Sequence, residues 1–95
     1  MRKYFIVSLV KDGILGGGLV AEETGLTFCT NKLTVAKELR RLALPFARME
    51  QVKTGWMLCF PTVTLHLTGG ESWRLIVFSR RKLLGLLREA GVTVV

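Results

Sequence analysis

Two periodicities divide this chain. From Tyr4 to Phe78 the apolar residues alternate with polar ones or stand in short runs, whereas from Ser79 onward they recur at helical spacing. The run Tyr4-Phe5-Ile6-Val7-Ser8-Leu9-Val10 is rich in β-branched and aromatic residues and predicts a first strand. With Met1-Arg2-Lys3 before it, it superficially copies a secretory leader. The run stops at Lys11-Asp12 without a small-residue cleavage site, so a strand is the expectation. Asp12-Gly13 predicts a turn. Gly16-Gly17-Gly18, beside Leu19-Val20-Ala21, predicts a strand with a bulge or a close backbone approach. A phosphate-cradling loop is not expected there, because neither GK[ST] nor GxGxxG spacing follows and no helical pattern begins.

Glu22-Glu23-Thr24-Gly25 reads as a turn, and Leu26-Thr27-Phe28-Cys29-Thr30 alternates like a half-buried strand. Asn31-Lys32 predicts another turn, ahead of Leu33-Thr34-Val35. Ala36 to Leu42 reads helically, held to a turn or two by Pro45. Phe46 to Met49 leads into a short strand, Glu50-Gln51-Val52, ending near Thr54-Gly55. Trp56-Met57-Leu58-Cys59-Phe60 then predicts a separate strand, with Pro61 at its end, an edge or a bulge.

The strongest local pattern follows. Thr62-Val63-Thr64-Leu65-His66-Leu67 alternates strictly, and its mate runs from Glu71 to Phe78. A two-residue Gly69-Gly70 turn would set Leu65 opposite Arg74 and mix the faces. A three-residue loop, Thr68-Gly69-Gly70, pairs Leu65 with Trp73 and Val63 with Leu75, with Gly70 left-handed. That register is the prediction. Ser79 then offers an N-cap for a helix over Arg80 to Ala90, whose Leu83, Leu84, Leu86, Leu87 and Ala90 form one apolar stripe. Gly91 supplies a left-handed stop, and Arg88 places a cation in the last turn.

Composition supports a single domain, residues 1–95, able to fold on an ordinary core: 49% of the residues are apolar and 22% charged. Cys29 and Cys59 lie in separate apolar runs, and His66 is the one histidine, so neither a CxxC motif nor a zinc set is present. Two buried thiols in a cytoplasmic protein are the expectation. No cofactor, metal site or small-molecule substrate is implied. The formal charge of +7, from 14 Lys and Arg against 7 Asp and Glu, favours anionic partners without choosing among them.

The layout of several short strands, a strong hairpin and one terminal amphipathic helix resembles the bacterial branch of the pleckstrin-homology and GRAM superfamily. The stretches that carry the likeness are Thr24 to Thr30, Leu44 to Val52, and Ile76-Val77-Phe78-Ser79-Arg80-Arg81. They resemble that family's "degl-rt" strand, its "iPysdI-sV" strand and its strand-to-helix junction. In another alignment, Gly25-Leu26 through Asn31-Lys32-Leu33 resembles the GRAM "LTNkRL" segment, with a shifted register. The likeness spans roughly residues 13 to 91. It implies a mainly β, pleckstrin-homology-like barrel of about seven antiparallel strands, with the helix covering one open end. Lipid binding, peptide binding and self-assembly all occur on such a scaffold. Phosphoinositide binders of the family carry a basic cluster in the first hairpin. Here Asp12 precedes that hairpin and Glu22-Glu23 occupies the next turn, so no lipid-ligand residue carries over.

The sequence does not point to an enzyme. His66 lacks a partner motif, and Ser8, Ser72 and Ser79 lack GxSxG or SxxK surroundings. Two basic groups, Lys37 with Arg40 and Arg41, and Arg80 with Arg81 and Lys82, are candidate anion contacts. Interleaved aromatics, the platform single-stranded nucleic acid needs, are missing from both. Trp56, beside a glycine at a strand start, is the candidate exposed anchor for a protein partner. The expectation is therefore a non-catalytic interaction module, self-associating or bound to a protein partner, in the cytoplasm. The alternative is a peripheral binder of anionic lipid headgroups or nucleic acid.

Overall fold

A computed structural model describes residues 3–10, 13–30 and 41–95. Seven strands, β1 (Lys3–Val10), β2 (Ile14–Ala21), β3 (Gly25–Cys29), β4 (Arg41–Pro45), β5 (Met49–Met57), β6 (Phe60–Leu67) and β7 (Ser72–Val77), precede one helix, α1 (Arg80–Glu89). The strands form one antiparallel sheet in the order β4-β3-β2-β1-β7-β6-β5. β1 pairs with both β2 and β7, so the first and last strands of the chain meet at the middle of the sheet. The curled sheet with α1 packed on it is mainly β and consistent with a pleckstrin-homology-like barrel.

One apolar face lines the core. Leu9, Leu19, Phe28, Leu44, Val63 and Leu65 are fully buried on it. α1 closes this core with Leu83, Leu84 and Leu87. Leu86 is only half-buried, and Ala90 is exposed instead of lying in the stripe, because the helix ends at Glu89. The stop at Gly91 (φ 87°) is a Schellman arrangement: the Val92 amide donates to Leu87 O and the Gly91 amide to Arg88 O, both at 3.0 Å. Val92 is buried beside the same core. Ser79 occupies the N-cap position, but its hydroxyl makes no capping bond.

The late hairpin has the expected register, with Leu65 opposite Trp73 and Val63 opposite Leu75. The Leu67 amide donates to Glu71 O across the three loop residues, and both Gly69 (φ 89°) and Gly70 (φ 88°) are left-handed, not Gly70 alone. The glycine triplet lies inside β2, whose pairing with β1 runs without a bulge. Close approach is the reason for it. A Cβ on Gly17 would sit 2.4 Å from Cys29 O and against the Phe28 ring, and one on Gly18 would overlap the Tyr4 ring.

Two readings need correction. Arg41 and Leu42 are strand residues, paired with Cys29 and Phe28, and not the end of a helix. The packing of Leu44 into the core overrode the local helical spacing, and Pro45 fits because β4 is an edge strand. Residues 31–40, with the turn, strand and helix expected there, lie outside the described residues. The two strands expected over 50–60 are instead one, β5, followed by a two-residue turn at Leu58-Cys59. No Gly, Asn or Asp marks that turn; Leu58 itself adopts φ 58°.

Candidate functional site

The β5–β6 hairpin and the start of α1 build the site, and alternation along the strands explains how. Val52 faces the core, so Thr54 and Trp56 share its side of β5, while Lys53, Gly55 and Met57 face outward. At Trp56 the strand has run past the end of the core. Its indole is 66% exposed, as expected of the candidate anchor. Its partner is Pro61. This position in the ladder exchanges no backbone bonds with β5, since Trp56 turns its amide and carbonyl away from β6, so the proline costs no hydrogen bond to β5, and the β6–β7 pairing ends one residue later, at Thr62↔Ile76.

Arg80, the first residue of α1, ties the helix to this hairpin. Its Nη1 donates to Gly55 O at 2.6 Å and to Thr62 O at 3.4 Å, and its guanidinium lies 4.8 Å from the centroid of the Trp56 ring. A guanidinium held by two carbonyls and a ring face has a positioning role, fixing Trp56 against the helix start.

Beyond Trp56 the hairpin tip is apolar. Leu58 is 91% exposed, and Cys59 beside it is exposed rather than buried as expected. On the outer face Phe60 meets Phe78 edge-to-face, with centroids 5.9 Å apart at 78°. Phe78 is 70% exposed. Val7 and Val77 pair with their side chains inward, so Ile6 and Phe78, the next residues, both turn outward, and Ile6 is exposed as well. The result is an apolar strip from β1 across β7 to the β5–β6 tip. Isolated exposed apolar residues are ordinary; here several lie side by side.

The basic candidates do not converge. Arg81 and Lys82 turn to the other side of α1, where with Lys3, Tyr4, Phe5 and Leu86 they line an open groove of about 610 Å³. Arg41 is exposed on β4, at the opposite edge of the hydrogen-bonded order from β5. Lys37 and Arg40 lie outside the described residues. His66 is half-buried between Gln51 and Ser72, and no group of three metal-ligating side chains occurs among the described residues. Sequence reasoning passed over Leu58 and Phe60, because an apolar run from Trp56 to Phe60 reads as a buried strand, and Phe78, because it continues the apolar strand that begins at Glu71. The available signal was Pro61, whose missing amide demands a pair without backbone bonds close to the strand's start.

No protein-family model matches the chain, and no curated protein matches it. Among solved structures, the C-terminal domain of an unknown protein from Leishmania infantum is similar in fold, with a TM-score of 0.75 over 93% of this chain and 80% of that one at 13% identity. At that identity the likeness concerns the fold alone. No helix among the described residues is long and apolar enough to cross a membrane.

Proposed function

We propose that this protein is a non-catalytic interaction module of pleckstrin-homology-like type that docks a protein partner through its β5–β6 end. One observation carries the reading: the β5–β6 end leaves Trp56, Leu58 and Phe78 each largely exposed, Trp56 on the core-facing side where Arg80 holds it and Phe78 on the outer face against Phe60. Aromatic and leucine side chains presented on rigid strands lose little conformational freedom on contact, which suits them as anchors. A leucine held left-handed at the tip fits this reading, since backbone strain persists where a side chain must be aimed. Placement in the pleckstrin-homology and GRAM superfamily, and a cytoplasmic location, belong to the same proposal.

A second reading, binding to an anionic surface, is favoured by the groove that gathers Lys3, Arg81 and Lys82 against one carboxylate, Glu89. The two respond to salt with opposite signs. Apolar docking at Leu58 and Phe78 predicts weak self-association, measured by light scattering, that strengthens as salt screens the +7 charge. Leu58→Asp or Phe78→Asp abolishes it, and Arg81→Glu with Lys82→Glu does not. Binding to anionic vesicles or DNA would instead weaken steeply as salt rises and would vanish with the charge reversals. Submicromolar binding of that second kind, together with a molecular mass that none of the apolar substitutions changes, overturns the first reading.

A further inference from the structure

α1 departs at three positions from what would best stabilise a helix, and all three line one groove. Arg81 and Lys82 lie in its first turn, where the helix dipole disfavours cations, and no acidic residue offsets them there. Gly85 lies in its interior, where glycine is a poorer helix former than alanine. No packing demands that glycine: a Cβ on it would meet nothing within 4 Å, and its φ is not left-handed. Together with Lys3 of β1 these residues line the open groove of about 610 Å³, which Phe5, Leu86 and Glu89 also line. Among the described residues, no side-chain hydrogen bond or ion pair engages Lys3, Arg81, Lys82 or Glu89. Where a chain breaks local rules without a packing reason, a functional site is the physical expectation.

We infer that this groove binds a small soluble phosphate monoester whose body carries hydroxyl groups, a sugar or nucleoside phosphate. Charge gives the class of the anion. Three cations against one carboxylate leave a net +2 in the groove. A phosphate monoester carries about −1.5 to −2 at neutral pH, more than a single carboxylate supplies. Arg81 offers the fork that takes phosphate oxygens in pairs, and Lys3 and Lys82 add point charges. Glu89 selects the body. It follows Lys82 by seven residues, about 10 Å along the helix axis. An ionised carboxylate only accepts hydrogen bonds, so it favours hydroxyl donors at that distance from the anion. The same carboxylate opposes a polyanion laid along α1 by repulsion, and the alkyl chain of a fatty acid by the cost of desolvation. Gly85, between the two ends of the site, leaves room for the body to pass. The inference goes beyond protein docking and uses a different part of the molecule from the β5–β6 end.

The test is calorimetric titration of the whole chain at low ionic strength with ribose phosphate, adenosine monophosphate, inorganic phosphate and adenosine. At least one of the two esters is expected to bind with submillimolar affinity, inorganic phosphate at least tenfold more weakly, and adenosine not detectably. Arg81→Gln with Lys82→Gln is expected to abolish binding of the ester. Glu89→Gln is expected to weaken the ester severalfold and to leave inorganic phosphate unchanged. Gly85→Met fills the groove with a good helix former, so the melting temperature should hold or rise while the ester binds at least tenfold more weakly. A folding defect cannot give that pair of results. Binding of neither ester overturns the inference, as does an unchanged affinity in Gly85→Met. Equal affinity for inorganic phosphate and the ester would show an adventitious ion only, and also overturns it. Binding to phosphatidylglycerol vesicles that the ester fails to displace would give the groove to an anionic surface, with the same consequence. Leu58→Asp, which tests protein docking, is expected to leave the ester's affinity within twofold, so the two proposals fail separately.

Discussion

Leu58 combines three properties that seldom coincide: a branched apolar side chain, 91% exposure and a left-handed backbone. The left-handed region costs an L-residue about 1–2 kcal/mol relative to glycine's freedom there. Leu58→Gly should therefore leave the fold as stable as before or stabilise it by about 1 kcal/mol in urea denaturation, while weakening salt-promoted association. A loss of stability would mean that the leucine serves the hairpin rather than a partner. Gly16 and Gly17, neighbours in β2, give a second contrast at this scale. Gly17→Ala drives a methyl into the Cys29 carbonyl and Phe28 and should cost about 1–3 kcal/mol, the range for overpacking. Gly16→Ala meets nothing within 4 Å and should fall within about 0.5 kcal/mol of the parent. Equal melting curves for the two variants would contradict the packing of Phe28 beneath β2.

Among the elements, α1 is tied down twice, by its leucines and by Arg80. Leu87 is fully buried, so Leu87→Ala should cost about 2–5 kcal/mol and Leu87→Asp should prevent cooperative folding. Arg80→Met keeps much of the stem but loses the bonds to Gly55 and Thr62. A cost of about 1–2 kcal/mol is expected, with a shift in Trp56 fluorescence. An unchanged emission spectrum would show that Arg80 does not position the indole. The surface pair Arg48–Glu71, at 3.0 Å with both side chains well exposed, should matter much less: Glu71→Gln is expected to change stability by under about 1 kcal/mol. In β5, hydrogen exchange tests the pairing with the residues after α1. The Val52 amide should be protected by Thr93. Rapid exchange there would contradict that pairing.

For the molecule as a whole, the separation of its basic and apolar surfaces matters more than the net charge. Arg81 and Lys82 look toward the groove beside β1, Arg41 sits on β4, and Arg80 is occupied within the fold. The apolar strip runs to the hairpin tip on the outer face of the sheet, away from that groove's basic side chains. Contact made there should consequently depend little on the other arginines, as the opposite salt responses above would register.

Local pattern alone determined the strands that alternate strictly and the helix that carries a leucine stripe. In 62–67 and 72–77 each residue's face follows from a period of two, and only one loop length keeps those faces matched, so the register of that hairpin was legible without a structure. Leu83, Leu84 and Leu87, with Gly91 as the stop, were legible for the same reason. The exposure of Trp56 was expected and is found, but not at the strand start that suggested it: Trp56 lies near the end of β5. Tertiary packing decided the rest. Arg41 and Leu42 carry helical spacing yet form a strand, because β3 offers a partner and Leu44 a place in the core. The run from Trp56 to Phe60 reads as one buried strand but folds over at Leu58-Cys59, because β5 and β6 must pair where β7 and α1 already fix β6. The pairing of β5 with the residues after α1 lay beyond any local pattern. It joins residues 93–95 to Val52, a meeting of segments some forty positions apart that no periodicity encodes.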